Sequence, residues 1–392
     1  MSLNNISKLK FIYFFKSLNF FAPILALFYL ARGLSTFQLL SLEVILTITL
    51  FLAEIPTGII ADKIKRKYSV TLVILLYLIG NILTIYSQTY ILFVVVQVIF
   101  GIALAFGSGA IEALVYDSLK SEKKEKEMNK HWGAINSQFL FAGMISALIG
   151  GWLTQSQNMD SFILAFWLYS IGAFIALIAS FSIKEPKHYK KIEHDNPIII
   201  FKKALKSIIT NSNLRKIILV SVLTVPFPHI LKMLFQPYFN ISGVQPILFG
   251  VAVSVAMLGG ALLSRNAYKI ENKFGINKTI FIMNLLPAII YIIMSLTTTG
   301  ITSFIFYVVI VSLAQMRNPL FSQYQNDHIE SKNRATALSI ISMFHAIYFI
   351  VSQLIIGKIA DYNLLYSFMF MGIIILANTL LFRVNNKHLN NS

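Results

Sequence analysis

The sequence contains no cysteine and little charge, and both deficits narrow the class of protein. Without cysteine, the 392-residue chain has neither disulfides nor thiolate metal sites. Only 12% of its residues are charged, whereas 56% are hydrophobic, and the mean hydropathy is +0.71. This apolar content is well above that of an ordinary soluble domain. The composition therefore predicts a membrane protein.

Long apolar segments recur along the whole chain. A helix needs about 20 apolar residues to cross a hydrocarbon core of about 30 Å. The first segment follows a basic start, as in a signal peptide, but it lacks a small-residue cleavage site and is interpreted as a retained helix. We predict an all-α membrane protein with twelve transmembrane helices, at 12–32, 37–60, 69–87, 90–117, 133–153, 161–183, 216–237, 246–264, 279–297, 301–322, 335–357 and 365–382.

Basic residues indicate the orientation of these helices, because lysine and arginine are enriched in cytoplasmic loops. With the N-terminus inside, all but four of the 33 lysines and arginines fall in cytoplasmic segments, the exceptions being Arg32, Lys232, Arg317 and Lys358. We therefore expect both termini in the cytoplasm, and the composition suggests a bacterial inner or plasma membrane. The net charge of +17 would face anionic lipids of the inner leaflet, so no nucleic-acid partner is needed to explain it.

A basic loop at 184–215 divides the chain into two parts of similar size. We predict an N-terminal six-helix bundle at 1–183, a cytoplasmic linker at 184–215 and a C-terminal six-helix bundle at 216–392. The linker contains an amphipathic segment after Asn196, expected to be a helix on the membrane surface, or a soluble helix packed beneath the bundle. Identical residues at a constant offset of 206 positions, such as Gly151 and Gly357, suggest that the bundles are repeats.

The loop after the second helix carries a recognisable motif. It resembles the loop signature of the major facilitator superfamily, G-x-x-x-D-R/K-x-G-R-K/R, at Gly58, Asp62, Lys63, Arg66 and Lys67. Lys65 replaces the usual second glycine. The resemblance covers essentially the whole chain and implies the two-bundle major facilitator fold. It also implies a transporter of a small-molecule substrate that needs no cofactor and is not an enzyme, and we expect a monomer.

The fifth predicted helix resembles that of twelve-helix drug:proton antiporters in this superfamily. The motif falls on small residues throughout, which favour close helix packing: Gly133, Ala142, Ser146, Ala147, Gly150 and Gly151. Ala147 stands where those antiporters have a proline, and Gln97 stands where they have an arginine in the fourth helix. An ordinary small-residue packing face is the alternative interpretation.

Charged residues inside the predicted helices are functional candidates, because a charge at the centre of a membrane helix costs about 2.5 to 3.5 kcal/mol. At 1.5 Å per residue, Glu54 lies about 12 Å from Asp62, and Glu112 lies about 7 to 8 Å from Asp117. We predict that these two buried glutamates are the proton-coupling sites. Arg317 could pair with either of them, or form a static salt bridge in its own bundle. Structural polar contacts are the alternative for the glutamates.

The seventh helix contains three prolines together with His229 and Lys232. Such interruptions free backbone groups that must line a cavity or find partners. The resemblance implies that helices one, four, seven and ten surround the central cavity. The substrate-cavity candidates are therefore Asn19, Pro23, Phe106, His229 and Gln315.

The loop motif itself is interpreted as a cytoplasmic gate. Gly58 would permit close approach of a neighbouring helix, and Asp62 would cap a helix N-terminus. Arg66 is expected to pair with Asp117 at the end of the fourth helix.

These features favour proton-coupled efflux of small amphipathic or hydrophobic compounds by alternating access, of the kind that confers multidrug resistance. An uptake symporter or a facilitator for a small nutrient is the alternative. A membrane-embedded enzyme is more remote, because the histidines are dispersed and no H-E-x-x-H motif or metal-ligand cluster occurs.

Overall fold

The computed structural model describes residues 2–186, 212–327, 329 and 334–382, and all regular structure in these ranges is helical. The predicted linker helix lies outside the described residues. A 3₁₀ turn occupies Glu125–Glu127. The α-helices are α1 (Ser2–Lys16), α2 (Leu25–Ala31), α3 (Thr36–Lys63), α4 (Arg66–Tyr86), α5 (Tyr90–Gly107), α6 (Ala110–Lys120), α7 (Met128–Leu153), α8 (Met159–Ser180), α9 (Ser212–Val222), α10 (Pro226–Ile241), α11 (Ile247–Arg265), α12 (Ala267–Phe274), α13 (Ile276–Leu296), α14 (Gly300–Asp327), α15 (Arg334–Tyr362) and α16 (Leu364–Leu381).

Within the described ranges, eleven helical segments are long and apolar enough to cross a membrane. Each corresponds to one of the predicted spans from 37–60 onwards. Large apolar side chains such as Leu52, Ile55 and Leu381 remain exposed on these helices. Exposed apolar surface of this extent suits contact with lipid.

The predicted first span differs from expectation, because it consists of two helices, α1 and α2, with turns at 17–24 between them. Pro23 lies in this break, where its missing N–H removes a helical hydrogen bond. A single helix over 12–32 was therefore wrong in detail. A second break falls at 108–109 between α5 and α6, where Gly109 has a positive φ of 74°.

The chain divides into two compact units. Unit 1 contains Met1–Ile192 together with Pro246–Ser254, and unit 2 contains Glu193–Gln245 and Val255–Ser392. The division resembles the predicted bundles except that the first half of α11 packs with unit 1.

The core of unit 1 is apolar and contains a few satisfied polar side chains. Leu9, Leu114 and Tyr169 belong to one buried cluster. Asn81 on α4 donates from Nδ2 to the Phe166 carbonyl at 3.0 Å and to Ser170 Oγ at 2.7 Å, both on α8. Because buried amides need hydrogen-bond partners, these bonds fix the register of α4 against α8.

The core of unit 2 is rich in aromatic rings. The Phe235 and Tyr307 rings lie 4.3 Å apart, which joins α10 to α14. The Tyr238 and Phe368 rings lie 4.9 Å apart, which joins α10 to α16. Tyr238 also donates to the Thr297 carbonyl at 3.0 Å. Helix α10 is therefore held from two sides, which positions the polar residues of its first turns.

A capping box fixes the start of α3. Ser35 Oγ accepts from the Gln38 N–H at 3.2 Å, and the Ser35 N–H donates to Gln38 Oε1 at 2.9 Å. Ser35→Ala is expected to destabilise the protein by about 1 kcal/mol, measured as a lower Tm in detergent. Thr89 at the start of α5 makes no side-chain cap bond, so Thr89→Ala is the matched control. Equal Tm losses in the two variants would contradict this assignment.

Candidate functional site

Unit 1 contains a polar cluster between α1, α4 and α6, which we call the Lys16 cluster: Tyr13, Lys16, Tyr77 and Glu112. The Lys16 Nζ atom lies 5.7 Å from the centroid of the Tyr13 ring and 4.8 Å from that of the Tyr77 ring. Both distances suit cation–π attraction. The Glu112 carboxylate is close enough to Tyr13 to act on its hydroxyl electrostatically. The cluster therefore joins a cation and an acid from α1 and α6 through one aromatic ring.

Sequence reasoning missed Lys16, because it was grouped with the cytoplasmic N-terminal segment. Lys16 is the last residue of α1 and follows the apolar run at 11–15. A signal was available, since the predicted first span of 12–32 includes this lysine.

The two glutamates predicted to be buried are not enclosed by protein. Both Glu54 on α3 and Glu112 on α6 are exposed at the surface of the structure. The expected burial of these side chains inside the protein was therefore wrong. The neighbours of Glu54, including Ile55 and Pro56, are exposed as well, because this part of α3 lies at the protein surface. Their role in proton coupling stays a prediction.

Gln97, at the position of the antiporter arginine, is buried on α5 and donates from Nε2 to the Tyr29 hydroxyl at 3.3 Å. Glu43 on α3 lies close enough to Tyr29 to act on it electrostatically. Tyr29 therefore links the Glu43 carboxylate to Gln97, which stands at the position of the antiporter arginine.

The predicted ion pair of the gate motif is present. Arg66 at the start of α4 lies 2.5 Å from Asp117 on α6, measured from Nη1 to Oδ2, and both side chains are largely buried. The Glu185 carboxylate accepts from the N–H groups of Arg66 and Lys67, each at 3.0 Å. An acid at a helix N-terminus satisfies free N–H groups and complements the helix dipole. Glu185 therefore caps α4 from a site 118 residues or more away in sequence.

The rest of the gate motif is only partly described. A side chain at Gly58 would meet no described atom within 4 Å, and close approach of the other half at this glycine stays a prediction. The side chains of Asp62 and Lys63 lie outside the described part, and their gate role stays a prediction.

The small residues of the antiporter-type motif lie on α7. Gly133 is exposed, whereas the other five positions are buried: Ala142, Ser146, Ala147, Gly150 and Gly151. A Cβ atom at Gly150 would lie 1.9 Å from the Phe20 carbonyl oxygen, and one at Gly151 would lie 2.8 Å from the Gly250 nitrogen. The motif therefore brings α7 against the break in the first span and against the first half of α11.

Unit 2 contains a cavity of about 130 Å³ between α10 and α14. Three of its side chains are basic, one is an amide, and the complete lining is Val225, Pro228, His229, Lys232, Ala314, Gln315 and Arg317. The structure thus brings together the predicted candidates His229, Gln315 and Arg317, with Lys232 in addition. The other cavity candidates lie in unit 1, where Pro23 and Phe106 are buried and Asn19 is partly buried in the break after α1.

Arg317 is held at the end of α9. Its Nη2 group donates to the carbonyls of Val220 and Ser221, at 3.4 and 3.1 Å, and to the Thr224 hydroxyl. Arg317 shares these carbonyls with local donors, since Ser221 also accepts from the N–H groups of Thr224 and Val225, and Val220 accepts from the Thr224 hydroxyl. The guanidinium also lies 4.8 Å from the centroid of the Phe321 ring. A helix C-terminus favours a cation, so the break in the seventh span positions Arg317.

A smaller cavity of about 10 Å³ lies beside the first, and both are lined by Pro228, Ala314 and Arg317. Arg317 Nε, Asn284 Oδ1 and the Tyr291 hydroxyl line or face it and have no hydrogen-bond partner in the described structure. This volume is about that of one water site. The interior of unit 2 therefore holds polar groups that the described protein atoms do not satisfy.

Apolar membrane-length helices in two units define a multi-pass membrane protein. The Major Facilitator Superfamily profile matches residues 9–316. The chain belongs to this superfamily. An uncharacterised MFS-type transporter of Bacillus subtilis (strain 168), YxaM, is 21% identical over 380 residues, which cover 95% of this chain and 93% of that protein.

Solved structures show the same fold at low sequence identity. A mutant form of the nucleoside transporter NupG has a TM-score of 0.80 at 12% identity, covering 97% of this chain and 99% of that one. A D-xylose-proton symporter has a TM-score of 0.72 at 13% identity, covering 99% and 98%. These similarities establish the fold, whereas the solutes of those proteins differ from one another.

Proposed function

We propose that this protein is a proton-coupled secondary transporter that exports small amphipathic or hydrophobic compounds by alternating access. The observation that carries the proposal is the position of Glu112, an accessible carboxylate within the apolar span Tyr90–Lys120 that interacts with Tyr13 in the Lys16 cluster. A coupling site must be reached by protons and must also be linked to groups that can move. Glu112 is not enclosed by protein, and its interaction with Tyr13 links it to α1.

Protonation of Glu112 would change the charge of the Lys16 cluster. With Glu112 ionised, the cluster pairs one acid with one cation, and with Glu112 protonated it carries the Lys16 charge alone. A conformational equilibrium shifts when one state accommodates the added charge better than the other. Glu54 is the second proton site in this proposal, since it is an accessible carboxylate within the span Thr36–Ala61.

Two features support export. The first is the antiporter-type motif on α7, whose buried small residues allow backbone contacts at Gly150 and Gly151. The second is the pair of Arg66 and Asp117 at the predicted cytoplasmic end, which suits a gate that closes that end during the cycle. Asp62 completes the proposed gate on the strength of the sequence motif.

Uptake by proton symport is the second candidate, and the lining of the unit 2 cavity favours it. A cavity with three basic side chains and an amide suits a polar solute better than a purely hydrophobic one. The solved symporters of similar fold are compatible with either direction. The direction of net solute movement in vesicles separates the two candidates.

Replacing the proposed proton sites tests the mechanism. Glu112→Gln is expected to reduce pH-gradient-driven transport by at least about tenfold while leaving passive exchange, because an amide cannot carry the proton. The measurement uses proteoliposomes with an internal pH dye and a panel of fluorescent amphipathic compounds, with an imposed pH gradient of either sign. Glu54→Gln and the double variant are measured in parallel.

Glu125→Gln is the matched control, because Glu125 is exposed in the 3₁₀ turn before α7. It should transport at the wild-type rate. Full gradient-driven transport by the double Glu54→Gln, Glu112→Gln variant would refute these proton sites. Solute movement down its own gradient with no pH change in the wild type would refute proton coupling altogether.

A further inference from the structure

The unit 2 cavity between α10 and α14 has an unusual charge composition. His229 and Lys232 approach it from α10, and Arg317 approaches it from α14. No acidic residue of the described structure lines it. Basic groups repel one another in a region of low dielectric constant when they are charged, and an anion in the cavity would offset that repulsion.

Arg317 is the most enclosed of these basic groups, with only 6% of its surface exposed. All its described hydrogen bonds go to neutral acceptors at the end of α9, and its Nε atom has no partner. A buried arginine is usually paired with a carboxylate, whereas every described partner of Arg317 is uncharged. Part of its donor capacity therefore remains available at the cavity.

The described acids of unit 2 do not supply the missing charge. Glu271 on α12 accepts a hydrogen bond from Tyr324, and Asp361 is exposed near the end of α15. Neither lines the cavity. Asp327 is ten residues beyond Arg317 on α14, which corresponds to about 15 Å along the helix.

We propose that this cavity binds the anionic group of the transported compound, so that the substrate is a small organic acid. Arg317 and Lys232 bind the carboxylate or phosphate oxygens, and His229 or the Gln315 amide donates a further hydrogen bond. This inference rests on the proposed transport function, because it names the transported compound. Its test measures binding and does not require transport.

The volume of the cavity and the fixed position of Arg317 restrict the size and charge of the ligand. A cavity of about 150 Å³ accommodates benzene, so a volume of about 130 Å³ suits a ring-sized or short-chain acid head. The hydrogen bonds to Val220 and Ser221 fix the Arg317 guanidinium before the ligand arrives. Preorganised donors lose less entropy on binding, which favours selectivity for an anion over a neutral analogue.

Ligand-induced thermal stabilisation of the full-length protein in lipid nanodiscs tests this site. The panel contains small aromatic and short-chain carboxylates and phosphates, each paired with its neutral amide or ester and with an amine of the same shape. We expect anions to raise Tm and their neutral and cationic counterparts to do so much less. Titration of the best anion then gives Kd by calorimetry.

Arg317→Gln should weaken binding of that anion by at least about tenfold, because it removes a charge-assisted hydrogen bond. Lys232→Gln tests the same site at a less enclosed position, should Arg317→Gln fail to fold. Arg265→Gln is the matched control, since Arg265 is exposed at the end of α11 and does not line the cavity. It should leave Kd unchanged.

Stabilisation by neutral or cationic compounds only, or by no anion of the panel, would overturn the proposal. So would an anion that binds equally well to the wild type and to the folded Arg317→Gln or Lys232→Gln variants. Anion binding without any proton movement in proteoliposomes would instead refute the proposed coupling and leave this site intact. Proton-driven export of only cations or neutral compounds would instead support the proposed coupling and refute this anion site.

Discussion

Gly150→Ala is expected to abolish most of the folded, transport-competent protein. A Cβ atom at this position would lie 1.9 Å from the Phe20 carbonyl oxygen and 2.9 Å from its carbonyl carbon. Both are backbone atoms, so no side-chain rotation can relieve the clash, and α7 would have to separate from the break between α1 and α2. Overpacking of this kind costs about 1 to 3 kcal/mol and occasionally more. The measurements are the amount of monodisperse protein extracted from membranes and its Tm.

Gly133→Ala provides a matched control in the same helix and in the same motif. A Cβ atom at Gly133 meets no described atom within 4 Å. Because alanine is favoured over glycine in a helix by about 0.5 to 1 kcal/mol, this variant should have an equal or slightly higher Tm. Similar yields and Tm values for the two variants would contradict the close packing of α7 against Phe20.

The number and placement of the membrane helices could be predicted from the sequence, because membrane insertion depends on a one-dimensional property, the apolar length of a segment. The first span was the exception. Its hydropathy is continuous, whereas its backbone breaks at 17–24 near Pro23. Hydropathy carries no information on backbone hydrogen bonds, so a break that other helices accommodate leaves no trace in it.

The small residues of α7 could be predicted to pack closely, but their partners could not. The motif indicates that something approaches Gly150 and Gly151, and small side chains are compatible with many neighbours. That Phe20 and Gly250 occupy these places follows from the course of the first span and of α11, which lie about 100 residues or more away in either direction.

Some polar groups of the candidate sites could be predicted from the sequence and others could not, because a hydropathy profile does not show which residues meet in the fold. Charges in long apolar segments, such as Arg317, stand out in any hydropathy profile. Lys16 did not, because it lies near a basic N-terminus that resembles a loop. Glu185 follows α8 in an ordinary polar stretch, and only the folded chain brings its carboxylate to the N–H groups of Arg66 and Lys67.

The pair of Arg66 and Asp117 is expected to be the strongest described ion pair of unit 1. Its side chains are 18% and 11% exposed, and the two atoms lie 2.5 Å apart. Removing one partner leaves the other charge largely desolvated, which costs about 3 to 5 kcal/mol at a buried pair. We therefore expect Asp117→Ala and Arg66→Ala each to lower Tm substantially, and the double variant to be less unstable than the sum of the two. A double-mutant cycle of unfolding free energies should give a coupling of about 1 to 3 kcal/mol.

The pair of Glu127 and Lys130 is the control for this cycle. These side chains are 41% and 76% exposed, and they lie 3.4 Å apart on successive turns. Exposed pairs of this kind are screened by solvent, so their cycle should give almost no coupling. If Arg66 and Asp117 act as a gate, the variants that remain folded should also show altered turnover, because one state of the cycle loses a contact. A coupling energy as small as that of the control pair would show that this contact does not contribute to stability, and unchanged turnover in the folded variants would show that it is not a gate.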